Sequence, residues 1–138
     1  MTIIVNVLSP NNIVCKDLIA EQVLVPGMEG TLGVFEGHVA LMTCLDVGLI
    51  GIKKDGKWIP VISNGDGVAE ISKTSVTIVG PSFDEFVDLD LDEEKARQEV
   101  VDAITNFQDF SSDRSFEDAV KRLKKANAKL AGIKLLNN

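Results

Sequence analysis

The chain has 138 residues, 45% hydrophobic and 25% charged, with a formal net charge of −7. That length carries one domain with a real core plus one appendage, and the negative balance speaks against a general affinity for nucleic acid or anionic lipid, since either would repel the molecule as a whole. No run is long enough to span a bilayer, and the first residues have neither the basic flank of a signal peptide nor the Arg-rich or Ser-rich bias of a transit peptide, so a soluble protein, or one held at a membrane by other subunits, is expected.

In chain order, Ile3 to Leu8 is a β-rich run stopped by the turn residues Ser9-Pro10-Asn11-Asn12. Ile13-Val14-Cys15 leads through Lys16-Asp17 into a second run, Leu18 to Val25, which Pro26-Gly27 ends. From Gly27 to His38, four glycines let the chain reverse sharply while Leu32, Val34 and Phe35 reach a core. A phosphate cradle is not indicated there: the last glycine is followed by His38 rather than by Lys and Ser or Thr, and the spacing is not that of a dinucleotide loop.

Val39 to Cys44 and Val47 to Ile52 come next. Asp55-Gly56 is a hairpin signal with Trp58 to Ile62 as the return strand, and Pro60, which lacks an amide donor, puts that strand at an edge or at a bulge. Ser63 to Gly67 turns into Val68 to Ile71, and Val76 to Val79 closes the series. Short strands separated by turn residues, with no helical period before Phe86, predict a β-sandwich or flattened barrel.

The period changes after Asp88. Ala96, Val100, Ala103, Phe107 and Phe110 recur at spacings of four and three, one face of a helix, with Asp90 and Glu93 as a capping box. Ser111 to Arg114 breaks it, and Ser115, with Asp118 three residues on, caps a second helix whose seam is Ala119, Leu123, Ala126, Leu130 and Ile133. Gly132 weakens its end. Two matched seams across a short connection predict an antiparallel helical hairpin. The fold class is α+β, β then α, with a sandwich over residues 1–88 and a two-helix hairpin over residues 89–138. Alanines keep the hairpin's self-packing thin, so it needs a docking surface, and an arm held by docking can dock in more than one place.

Cys15 and Cys44 lie in apolar runs with no second Cys or His at ligand spacing, so they read as buried free thiols and no metal or cofactor is expected. His38 is the only histidine and has no nucleophile and acid in a catalytic arrangement, so it reads as a surface or corner group. Asp84, Glu85, Asp88, Asp90, Asp92, Glu93 and Glu94 read as a solvated linker and a helix start. Lys121, Arg122, Lys124, Lys125 and Lys129 form a one-sided basic stretch, the solvated face of the second helix, that suits an acidic partner.

The ordered set Gly30-x-x-Gly33-x-x-x-x-His38, Leu45-Asp46-Val47-Gly48 and Gly65-x-Gly67-Val68-Ala69-Glu70-Ile71, followed by two helices, resembles the epsilon subunit of F-type ATP synthase, and Trp58 after the Asp55-Gly56 turn is closest to its cyanobacterial and plastid branch. The resemblance implies a non-catalytic subunit of the rotating central stalk, bound to the gamma subunit and the c-ring through the sandwich end that carries Gly30, Gly33, Phe35, Glu36 and His38. It also implies C-terminal helices that extend toward the catalytic alpha and beta subunits and inhibit ATP hydrolysis, with Lys121, Arg122, Lys124, Lys125 and Lys129 meeting an acidic loop there. Such a subunit is a peripheral membrane protein, at the cytoplasmic face of a bacterial membrane or the stromal face of the thylakoid.

The chain departs from the family at three points, one of them the loop from Asp109 to Ser115, which differs from that of the plastid members. Val34-Phe35 stands where many relatives have Leu-Pro, and Lys95 stands where some bacterial members carry the Arg of a nucleotide motif. Lysine is a point charge where arginine grips phosphate bidentately, so the change at Lys95 weakens that site. Two other readings stay open: an ATP sensor using Asp92, Lys95, Arg122, Lys125 and Lys129 between the helices, and a β-sandwich adaptor unrelated to ATP synthase.

Overall fold

Ile3, Val5 and Val7 alternate along one face of the first strand and are fully buried, and strands continue from there to Glu85. A computed structural model describes residues 1–86, 92–107 and 113–137. Its strands are β1 (Ile3–Ser9), β2 (Asn12–Ala20), β3 (Gln22–Gly27), β4 (Gly30–Val34), β5 (Leu41–Cys44), β6 (Val47–Lys54), β7 (Lys57–Asn64), β8 (Val68–Ile71), β9 (Ser75–Val79) and β10 (Phe83–Glu85). Two helices follow, α1 (Glu93–Phe107) and α2 (Asp113–Leu136).

The strands form two five-stranded sheets, one in the order β2-β1-β9-β8-β5 and the other β10-β7-β6-β3-β4, with β1 and β9 the parallel pair. Between them lies a core of branched aliphatics, including Ile3, Val5, Val25, Ile50, Ile52, Val76 and Ile78. The architecture is the predicted sandwich. The second sheet is covered on its outer face as well: Val61 belongs to the core between the sheets, while its neighbour Ile62 points the other way and packs with Phe86, Ala96, Ala128 and Ile133. That outer cover explains why β7 is buried continuously from Pro60 to Ser63 instead of alternating.

Turn chemistry accounts for the hairpins. Asp55 (φ 52°) and Gly56 (φ 76°) both occupy the left-handed region that a two-residue type I′ turn requires, joining β6 to β7 as expected. Pro60 sits one residue before the segment that pairs with β10, so at that position the strand has a neighbour on one side only and no donor is missed.

Several boundaries differ from the sequence reading. Lys16-Asp17 is no junction but a bulge inside β2: the register with β1 jumps between Val5 and Val7, Asp17 takes φ 53°, and its amide donates to the Asn6 side chain at 2.8 Å. The run from Leu18 to Val25 is divided at Glu21, where the chain crosses from one sheet to the other and the Glu21 amide bonds Lys53 O at 2.8 Å. β5 begins at Leu41 rather than Val39, and Asp84 and Glu85 belong to strand β10 rather than to a solvated linker. Cys44 is exposed, not buried, because β5 is an edge strand; Cys15 is half-buried. Phe35, expected to reach the core, is 57% exposed.

The helices also start elsewhere. Asp92 caps α1, accepting the amides of Glu94 (3.0 Å) and Lys95 (3.4 Å), whereas Asp90 of the expected capping box lies outside the described residues. Helix α2 begins at Asp113, so Ser115 falls inside it and is not its cap. Of the predicted seams, Ala96, Ala103, Ala126 and Ile133 are buried, and Phe110 lies outside the described residues. Glu99 meets Lys129, while Asp102 shares a cleft with Arg122 and Ala126, so the helices run antiparallel.

Candidate functional site

The residues Gly30, Gly33, Phe35, Glu36 and His38 lie along one edge of the second sheet, because β4 is its terminal strand. Gly30 stands at the β3–β4 tip with φ 130°, a value only glycine adopts without strain, and Gly33 is exposed within the strand. Phe35 and Glu36 sit beyond the other end of β4, where a Glu36 carboxylate oxygen accepts the Thr2 amide at 3.1 Å. His38 is half-buried, with Nδ1 2.7 Å from the carbonyl of Val39, and Gly37 is tied to Lys73 O at 2.8 Å. The set is therefore a strip running the length of an edge, with a tip at each end. It offers unpaired strand backbone, one aromatic ring and one carboxylate, which suits contact with another protein rather than chemistry on a small molecule.

The basic residues of α2 divide. Lys121 and Arg122 are exposed. Lys124 Nζ lies 2.8 Å from Asp46 Oδ2, Lys125 Nζ 2.7 Å from Asp84 Oδ2, and Lys129 Nζ 3.1 Å from Glu99 Oε1. The basic stretch, read from sequence as a solvated face, is thus largely engaged within the chain. Asp46 fills two roles, since its Oδ1 accepts the Val47 amide at 2.8 Å and shapes the turn into β6. Asp46, Asp84 and Glu99 are functional partners that sequence reasoning missed. Asp46 was visible only as part of the Leu45-Asp46-Val47-Gly48 motif, and nothing local pairs it with a lysine 78 residues away.

Beneath the charges, Gly132 abuts the ring of Phe86, which stands in the space where a side chain at that position would begin. Its place near the end of α2 is a close approach between helix and sandwich. Ala128, Leu130 and Ile133 complete the contact with Ile62 and Leu49.

The nucleotide candidates are not all together. Arg122, Lys125 and Lys129 line a cleft of about 440 Å³ between the helices and the second sheet, but Asp84, Glu99 and Asp102 line it too, so three cations face three carboxylates. Asp92 caps α1 and Lys95 lies in its first turn, and neither is among the lining residues. As arranged, the cleft carries no net positive field for a polyphosphate.

The family described as ATP synthase, delta/epsilon chain, beta-sandwich domain, matches residues 2–84, nearly the whole of the two-sheet unit. The chain belongs to the ATP synthase epsilon family. A chloroplastic ATP synthase epsilon chain of Thalassiosira pseudonana is 37% identical over 137 residues, covering 99% of this chain and 100% of that one, and one of Phaeodactylum tricornutum is 36% identical over the same spans. Among solved structures, a chain of the Euglena gracilis mitochondrial ATP synthase, in an assembly with OSCP, F1 and c-ring, superposes with a TM-score of 0.77 at 19% identity, over 96% of this chain and 81% of that one. That likeness concerns the fold. As an epsilon chain of the plastid-like branch the protein is a non-catalytic subunit, and the reading as an unrelated adaptor is overturned by the family match. Among the described residues no helix is long and apolar enough to cross a membrane.

Proposed function

We propose that this epsilon chain is a central-stalk subunit of a plastid-type F-type ATP synthase, coupling the catalytic head to the c-ring and restraining ATP hydrolysis through its helical layer. The observation that carries this reading is the family match over residues 2–84, together with relatives that align end to end and are named as chloroplastic epsilon chains. The β4 edge with Gly30, Gly33, Phe35, Glu36 and His38 is its contact with gamma and the c-ring, an assignment supported by the exposure of all but His38 and by the free strand edge. The helical layer is the regulatory part, acting on the catalytic alpha and beta subunits through Lys121, Arg122, Lys124, Lys125 and Lys129. Its location is peripheral, at the stromal face of the thylakoid.

The test is copurification with a gamma subunit and c-ring, followed by ATP hydrolysis measured on an epsilon-depleted enzyme with the chain added back. Binding with lowered hydrolysis is expected. Absence of a complex would remove the stalk assignment, and binding without any change in hydrolysis would leave the coupling role and remove the regulatory one. An ATP sensor on the same scaffold is the weaker reading, since a triphosphate would have to displace the Lys125–Asp84 and Lys129–Glu99 pairs.

A further inference from the structure

The two sheets part where the edge strand β2 faces β7. Strand β10 has only three residues and pairs with Val61, Ile62 and Ser63, so among the described residues the part of β7 before them has β6 on one side and no strand on the other. Facing it, β2 bulges at Asp17. Between these edges opens an apolar cleft of about 450 Å³, within the size range of small-molecule sites. The buried Ile52 and Val61 lie deepest in it, Leu18 lines it from β2, and Leu136 reaches it from α2. Pro60 lines it too and brings no amide hydrogen, so the wall is poor in donors as well as apolar.

Glu85 is the one charged residue among the described residues that line this cleft. Its cross-strand partner is Val61, and residues directly opposite share a face of the sheet, so Glu85 stands on the core side of β10. Asp84, opposite Ile62, stands on the outer side and pairs with Lys125. The half-buried Glu85 carboxylate has no such partner among the described residues, and a charge beside apolar walls costs free energy until it is paired. Its field reaches across the cleft: the Cys15 thiol, pushed up chiefly by burial, is pushed further by Glu85.

We propose that this cleft binds an amphiphilic amine, an apolar body with one protonated nitrogen, the body lying on Leu18, Ile52 and Val61 and the ammonium donating to Glu85. The single unpaired acid selects the charge. An anionic amphiphile would set a second negative charge beside Glu85, and a neutral one would leave it unpaired, whereas an ammonium gives a charge-assisted bond about twice as strong as a neutral one. The site shares no residue with the β4 strip or with the ion pairs of α2, and its test needs no other subunit.

The experiment titrates the isolated full chain with three probes of one shape: naphthylmethylamine, protonated at neutral pH, naphthylmethanol, which is neutral, and naphthoate, an anion. Magnetic-resonance methyl signals of Leu18, Ile52, Val61 and Leu136 are expected to shift with the amine, which binds about tenfold more tightly than the alcohol, with the acid weakest. Saturating amine is also expected to slow alkylation of Cys15 and leave that of the exposed Cys44 unchanged. In Glu85→Gln the amine should lose about tenfold while the alcohol keeps its affinity, with Val5 and Ile78 methyl signals reporting an intact sandwich. The probe comparison and the Cys15 protection are made on the parent chain, so they decide the matter whether or not the variant folds. Signals shifting elsewhere instead, no protection of Cys15, equal affinities for amine and alcohol, or an amine preference that survives in a folded Glu85→Gln would each overturn the proposal and leave Glu85 as an inward charge that guards a sheet edge.

Discussion

The two cores of this molecule are built from different materials. Between the sheets, Val and Ile side chains from both faces interdigitate and most are fully buried, so each position is held by volume. Over the outer face of the second sheet, two of the five buried residues are alanines and the closest approach is made at a glycine, with ion pairs at the margin. The first arrangement closes once. The second joins its surfaces partly through exposed ion pairs at the margin, contacts that water and salt can replace.

The largest effect should come from the first core. Ile78→Ala removes a side chain with no exposure and is expected to cost about 2–5 kcal/mol in denaturant unfolding, with the helical layer lost in the same transition because its docking floor goes with it. A loss below 1 kcal/mol would mean that the sandwich is not the stable unit. The converse variant, a chain ended at Asp88, keeps that core and is expected to unfold cooperatively; a broad, non-cooperative transition would show that the sandwich depends on its cover.

Gly132→Ala probes the second core and has two opposite consequences. Alanine favours the isolated helix by about 1 kcal/mol, yet its Cβ would overlap the Phe86 ring, and forcing such a contact apart costs about 1–3 kcal/mol. Helicity of α2 should hold or rise while docking falls. Circular dichroism with the Phe86–Gly132 contact measures both, and unchanged docking would show that the ring simply moves aside.

Much of this division was legible in the sequence. The alternation from Ile3 to Val7, the Asp55-Gly56 turn and the helical period after Asp88 each carry a local physical signature, and they yield the sandwich and the hairpin directly. What was not legible is non-local. The Asp17 bulge depends on Asn6 across the ladder, β10 is three residues inside an acidic stretch, and no spacing rule connects Lys124 to Asp46. Gly132 was visible, but its meaning was not: a glycine near a helix end reads as weakness until Phe86 is seen against it. The candidate rotor residues were read as one end of the sandwich, and β4 spreads them along an edge.

A smaller effect is expected at the start of α1. Asp92→Ala removes the side chain that accepts the Glu94 and Lys95 amides, and loss of such a cap costs about 1 kcal/mol. It should fray the first turn of α1 and leave α2 on the sandwich, since Lys124 and Lys125 pair elsewhere. Amide exchange of α1 accelerating with α2 unchanged is the expected pattern; acceleration of both would mean that the two helices dock as one.

The smallest effect concerns the seam between the two cores. Cys15 lines an apolar cleft with Phe86, Glu85 and Leu136 of α2, while Cys44 stands exposed on β5, far from that cleft's lining. Burial pushes the Cys15 thiol above its ordinary range, the Val7 amide opposes the shift and Glu85 adds to it. Folded Cys15 therefore keeps its proton at a pH where the unfolded chain has lost it, so this group makes stability fall as pH rises through the ordinary thiol range and contributes nothing below it. The thiolate is the reacting form, so Cys44 is expected to alkylate first at pH 8, with Cys15 lagging behind. Gly132→Ala should shorten that lag, because lifting α2 withdraws Leu136 and opens the cleft to water. Cys44 serves as the internal standard, being exposed whether or not α2 is docked. If the interval between the two rates is the same in the variant and the parent, the end of α2 does not shield Cys15, and the seam belongs to the sandwich alone.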